Sequence, residues 1–157
     1  MSSNQRVGWV RRELGGLAVL GLLMPLVAGA ARLGEADVRA VRQVVESRLG
    51  AFAAGDAKRA FSYASPSIRA RFGDASRFMA MVQGSYPMVV RPTAALFFLA
   101  QKDHGTEAAN VTVRQAVQLR DRKGRLWKAT YLLERQAGNV WRINGCVVVA
   151  GNAKSLT

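Results

Sequence analysis

One histidine and one cysteine are all the imidazole and thiol that 157 residues supply, and only 10 of those residues are acidic. A transition-metal site needs converging His, Cys or carboxylate ligands, and dispersed acids with single His104 and Cys146 do not provide them. A lone cysteine also excludes an internal disulfide, so any fold must be stable through its core. No glycine-rich phosphate loop follows a strand pattern, and no serine elbow appears. His104, in Lys-Asp-His-Gly-Thr, reads as a solvated residue of a turn between strands. Cys146, in the apolar run Cys-Val-Val-Val, reads as a buried small side chain.

What is abundant is positive charge. Lys and Arg number 23, of which 18 are Arg, for a net charge of +13. An excess of this size admits an anionic partner, although an Arg-, Ala- and Gly-rich chain also reflects genome composition, because net charge bears on association and solubility rather than fold. At 50% hydrophobic and 21% charged, the chain is long enough to bury the core of one domain.

The first thirty residues stand apart. Arg6, Arg11 and Arg12 precede a run from Leu14 to Ala31 that carries no charge, and Ala28-Gly29-Ala30 supplies the small residues that a signal peptidase reads. The pattern predicts a secretory signal over residues 1–30, cleaved near Ala30, and a periplasmic or secreted protein. The alternative is an inner-membrane anchor over residues 14–31, for which four Gly and Pro25 make a poor span. Arg11-Arg12 as a twin-arginine signal is weaker still, since a positive n-region explains the pair.

The remaining chain, residues 31–157, divides into a helical half and a strand half. Val38, Val41, Val45, Leu49 and Phe52 recur at spacings of three and four and draw one apolar stripe, while Arg39, Arg42, Glu46 and Arg48 fall mostly elsewhere. Gly55 stops that helix, Asp56 caps a short one through Tyr63, Ser65-Pro66 opens another, Gly73 stops it and Asp74 caps the next. Most polar residues of Ala60–Val82 are therefore punctuation, with Arg69, Arg71 and Arg77 left over. Tyr86-Pro87 should extend the backbone into the strand half.

From there the period becomes two. Val111, Val113, Val117 and Leu119 alternate with Thr112, Arg114, Gln118 and Arg120, Asp121–Gly124 turns the chain into a strand from Leu126 to Arg135, and Ala137-Gly138-Asn139 turns it again into Val140–Val149. Ala94–Ala100, apolar throughout, is expected to be a strand covered on both sides, with a short buried helix as the alternative. Helices followed by an antiparallel meander of about four strands predict an α+β layer.

The run GEADVRAVRQVVESRLGAFAAGDAKRAFSYASPSIRARFGDASRFMAMVQGSYPMVVRP, with WKATYLLERQAGNVWRINGCVVV, resembles a family of bacterial exported proteins known only as a domain of unknown function, over residues 34–149. The segments FSYASPSIRARFG, FMAMV and WRINGC carry most of that likeness. Such domains resemble the nuclear transport factor 2-like (cystatin-like) fold, in which a curved antiparallel sheet wraps helices and often leaves a pocket. The resemblance implies a shape and no activity. AALFFLA is more apolar than such a strand would be.

Enzymes of that fold place a His or acid base opposite a donor, and this chain offers little of either. Catalytic residues and cofactors are therefore expected to be none. Strand parity nominates Trp127, Ala129, Tyr131, Leu133 and Arg135 on one strand face, and Trp141, Ile143, Gly145 and Val147 on the last. The pocket candidates are Tyr131, Trp127, Trp141 and Arg135, joined by Tyr63. Glu134, on the other face, should pair with a cross-strand Arg. Arg120, Arg122, Lys123, Arg125 and Lys128, with Arg114 nearby, gather at one hairpin and are the candidates for an anionic surface. Export disfavours nucleic acid. The expected function is a cell-envelope domain that binds a small ligand or an envelope protein without catalysis. The alternatives are an isomerase or hydrolase of the same fold, or peripheral binding to anionic envelope surfaces.

Overall fold

The computed structural model describes residues 33–103 and 111–152; the expected signal segment and His104 lie outside them. Among the described residues five helices come first: α1 Glu35–Ala53, α2 Ala57–Ser62, α3 Pro66–Phe72, α4 Ala75–Ser85 and α5 Pro87–Val90. Five strands follow, β1 Ala94–Phe97, β2 Gln101–Lys102, β3 Thr112–Arg120, β4 Leu126–Gln136 and β5 Val140–Ala150, in the order β1-β3-β4-β5 with β2 also on β3. All pairings between these strands are antiparallel. The result is an α+β layer, N-terminal helices on an open sheet, with the two-residue β2 as the strand beyond the expected four.

The helix boundaries obey their local chemistry. Asp56, Ser65 and Asp74 each accept a hydrogen bond from the backbone N–H three residues on, satisfying a donor that the helix itself leaves free. Gly55 and Gly73 take positive φ at the exits of α1 and α3. Val41, Val45, Leu49 and Phe52 of α1 are buried against the sheet residues Val113, Val117, Leu133 and Ile143, among others. Proline upset one expectation. Tyr86 does adopt an extended φ of −134°, but Pro87 opens the single turn of α5, because its fixed φ suits the first helical position equally well.

Two further expectations are corrected in the sheet. Ala94–Ala100 is not covered on both faces: β1 is an edge strand, and Leu96 and Leu99 are 52% and 75% exposed. On β5, simple alternation fails. Leu132 pairs with Gly145 but Leu133 pairs with Ile143, so Asn144 is an extra residue in a β-bulge. Beyond it the faces exchange. Trp141 and Ile143 point inward, Cys146 and Val148 then continue the inner face opposite Tyr131 and Ala129, and Gly145 and Val147 turn outward. The free edge of β5 is bridged at this point by the link between α2 and α3: Ser65 N–H donates to the Ile143 carbonyl at 2.9 Å, and Ile143 N–H to that of Tyr63 at 2.8 Å.

Candidate functional site

Between the helices and the inner faces of β4 and β5 lies a cavity of about 330 Å³. Each wall has a local cause. The α1 stripe supplies Arg48 and Phe52, α3 supplies Ile68 and Phe72, α4 supplies Phe78 and Met81, and the bulge in β5 turns Cys146 and Val148 inward beside Tyr131. Exposed Arg71 and Tyr86 also line it, so it runs from the surface to buried Arg48.

Arg48 is the unusual member. Only 5% of it is exposed, its Nε has no hydrogen-bond partner, and among the described residues no carboxylate pairs with it. Its guanidinium lies 4.7 Å from the Phe78 ring centroid and 5.5 Å from that of Phe52. Cation–π attraction offsets part of the desolvation and leaves the N–H donors unused. Burial pulls its pKa down to about 10, so the charge persists at neutral pH. Buried charges in proteins are ordinarily paired, and this one is not.

The neighbouring groups are neutral. Burial pushes the Tyr131 phenol up, and beyond its contact with the facing Cys146 thiol its hydroxyl has no hydrogen-bond partner. Burial also pushes the Cys146 thiol up to about 12, although the residue as a whole is exposed. The expectation of a buried cysteine packed among valines is therefore corrected. The wall combines Arg48 at its inner end and exposed Arg71 at its mouth, the neutral Tyr131 phenol and Cys146 thiol, and aromatic and aliphatic surface. It holds no carboxylate or imidazole among the described residues.

Of the five pocket candidates, four from strand parity and Tyr63, Tyr131 lines this cavity and the other four do not. Trp127 donates its indole N–H to Asp121 at 3.0 Å in the β3–β4 hairpin. Trp141 donates to Asp37 at 3.2 Å and stacks under Arg135, whose guanidinium donates to the other Asp37 oxygen at 2.6 Å. That triad clamps the start of α1 to the sheet. Tyr63 meets the Arg59 side chain at 3.5 Å. Glu134 stands opposite Arg142, but the expected pairing does not form: Glu134 accepts from Gln136, and Arg142 donates to the Trp141 carbonyl.

The basic set divides in two. Arg122, Lys123 and Arg125 line a groove of about 600 Å³ between the hairpin and the α5 region. There Asp121 accepts from the backbone N–H groups of Lys123 and Arg125, from the Arg125 side chain and from Trp127, and these bonds hold its carboxyl down to about 2. Arg125 is thus committed to the turn, while Arg122 and Lys123 remain exposed. Arg120 and Lys128 lie instead on the outer face of the sheet.

Sequence reading missed Arg48, and a signal for it was present. Positions 41, 45, 48 and 52 follow one another by four, three and four, so this arginine stands on the apolar stripe itself. A cation at a core position of an amphipathic helix is the mark of a functional or paired charge.

Fold and cavity define a small α+β domain with an interior cationic site. The chain belongs to the DUF4864 family, a domain of unknown function, whose model matches residues 34–156. No curated protein matches it.

Proposed function

We propose that this is an exported envelope domain of nuclear transport factor 2-like shape whose cavity binds a small apolar organic anion. The observation that carries the reading is Arg48: a buried, charged guanidinium with unused donors at the inner end of an apolar cavity. A carboxylate meeting it forms charge-assisted bonds in a dry site, where they are strong. The Tyr131 hydroxyl adds a donor, and Phe72, Phe78 and Met81 take an aliphatic or aromatic tail. The volume lies at the lower end for small-molecule sites. Binding rather than turnover is favoured because, among the described residues, the wall carries no carboxylate or imidazole to act as a general base. The envelope address rests on the basic, then uncharged, run before Ala31; among the described residues, no helix is long and apolar enough to cross a membrane.

Thermal denaturation of the full chain with octanoate, decanoate and phenylacetate, against octanol, decanol and phenethyl alcohol, tests this. The acids should raise Tm and the alcohols should do so far less, with about 2.7 kcal/mol of stabilisation at a hundred times Kd. Arg48→Gln should erase the preference. Equal shifts from acids and alcohols, or a preference that survives Arg48→Gln, would refute the reading.

A further inference from the structure

The outer face of the sheet, remote from the helices, carries an apolar and cationic surface that the cavity does not use. Strand register orders it in rows. Leu96, Gln118, Lys128 and Val149 form one row across β1, β3, β4 and β5. Phe98, whose N–H donates to the Ala116 carbonyl at 3.0 Å, begins the next, which continues through Ala116 and Thr130 to Val147. At strand spacings of about 4.8 Å each row is roughly 15 Å wide and apolar at both rims, with Gln118 and Lys128 in the middle of the first and the small Ala116 and Thr130 in the middle of the second. Arg120 and Arg114 extend the basic centre along β3.

One rim is built to protrude. Between β1 and β2 the chain leaves the ladder after Phe98, and Leu99 stands 75% exposed. Gln115, only 1% exposed, donates from its side-chain amide to the Phe98 carbonyl at 2.7 Å and to that of Ala116 at 3.0 Å. A buried amide thus fixes the backbone that presents two large apolar side chains to water. Across the sheet, Val147 and Val149 are 65% and 51% exposed. Apolar surface held out in this way is stabilised by being covered.

We propose that this face docks on an anionic lipid surface, with Phe98 and Leu99 entering the interface and Arg120 and Lys128 meeting headgroup phosphates. Charge selects this occupant. Of the described acids facing outward on these strands, Glu134 stands opposite Arg142, and Asp103, beside β2, is paired with Arg114, which leaves Arg120 and Lys128 without counter-charge. In an isologous pair of copies the same cations would face one another, which is unfavourable. A bilayer bearing phosphatidylglycerol offers both an apolar layer and negative charge within a Debye length.

The test places an environment-sensitive fluorophore at position 99, through Leu99→Cys in a Cys146→Ser background of the full chain, with Ser76→Cys on exposed α4 as the control site. A local probe separates docking of this face from insertion of residues 14–31. At low salt, vesicles of phosphatidylglycerol and phosphatidylcholine should blue-shift the label at 99 and leave that at 76 unchanged. Pure phosphatidylcholine should shift neither. Arg120→Gln with Lys128→Gln should weaken the response about thirtyfold. No shift at 99 on anionic vesicles, or an equal one at 76, would overturn the proposal. So would an equal shift with soluble dextran sulfate, which indicates a polyanion site, or a shift that grows with protein concentration without lipid, which indicates a second copy.

Discussion

Tyr131 on β4 stands directly across from Cys146 on β5, and both line the cavity that Arg48 enters from α1. At neutral pH the phenol and the thiol keep their protons while the guanidinium keeps its charge. The folded Cys146 pKa is raised, so its contribution to stability is fully present below the ordinary thiol value and is lost as pH rises toward about 12. Arg48 has the opposite sign: its penalty applies below about 10 and is relieved above.

Arg48→Met should stabilise the domain by about 1–3 kcal/mol while abolishing preference for acids. Methionine fills the same apolar volume without a buried, unpaired charge. Urea denaturation at pH 7 reads the first effect and ligand-induced Tm shifts the second. A destabilised variant would mean that the charge has a structural partner.

Cys146 should alkylate slowly although it is exposed. With its pKa near 12 rather than 9, the thiolate population at pH 8 falls about a thousandfold, and the greater nucleophilicity of a more basic thiolate recovers about twentyfold. Iodoacetamide should therefore react some tens of times more slowly with the folded chain than with the chain in urea. The rate should climb about tenfold per pH unit above 8.

Ser65→Ala should cost about 1–2 kcal/mol. Ser65 is fully buried, caps α3 by accepting from Ile68 N–H, and shares a 2.8 Å contact with Asn144 at the bulge. Chemical denaturation measures the loss. Arg69→Ala, on the exposed side of the same helix, should stay within about 0.5 kcal/mol of the parent.

Phe78→Ala should cost about 3–5 kcal/mol, and Phe72→Ala clearly less. Phe78 is 3% exposed and touches the rings of Phe52, Phe61 and Phe72, whereas Phe72 is half-buried at the cavity wall. The Phe72 variant should instead weaken ligand-induced Tm shifts.

Asp121→Asn should lower Tm at neutral pH, because an amide cannot accept all four donors that converge on the carboxylate. The folded pKa lies below the ordinary value, so its stabilisation is complete above about 4 and is lost as pH falls through about 2. Acid titration of Tm should show that loss in the parent and not in the variant.

Caps, stops and hairpin turns were legible in the sequence because each is decided within four residues. Asp56, Ser65, Asp74 and Gly124 needed no tertiary knowledge. The inner face of β4 was legible for the same reason, as strict alternation places Ala129, Tyr131 and Leu133 together. The cavity was not. Arg48 looked like one of several surface arginines until the sheet covered its side of α1, and Trp127 and Trp141 looked like pocket walls until Asp121 and Asp37 took their N–H groups. An apolar run such as Ala94–Phe97 reads alike at the centre or the edge of a sheet, because strand order depends on distant pairings.

The Asn144 bulge is an insertion that leaves the strand on either side of it in step with β4. Because Gly145 pairs with Leu132 and Ile143 with Leu133, deleting Asn144 would close the ladder into regular alternation and keep Ile143, Cys146 and Val148 inward, with Gly145 and Val147 outward. What the deletion would remove is the local twist of the bulge and the Asn144 side-chain oxygen that accepts from Ser65 and Ser67. That one residue therefore serves the seam between β5 and the link from α2 to α3, while the wall beside Tyr131 keeps its thiol with or without it.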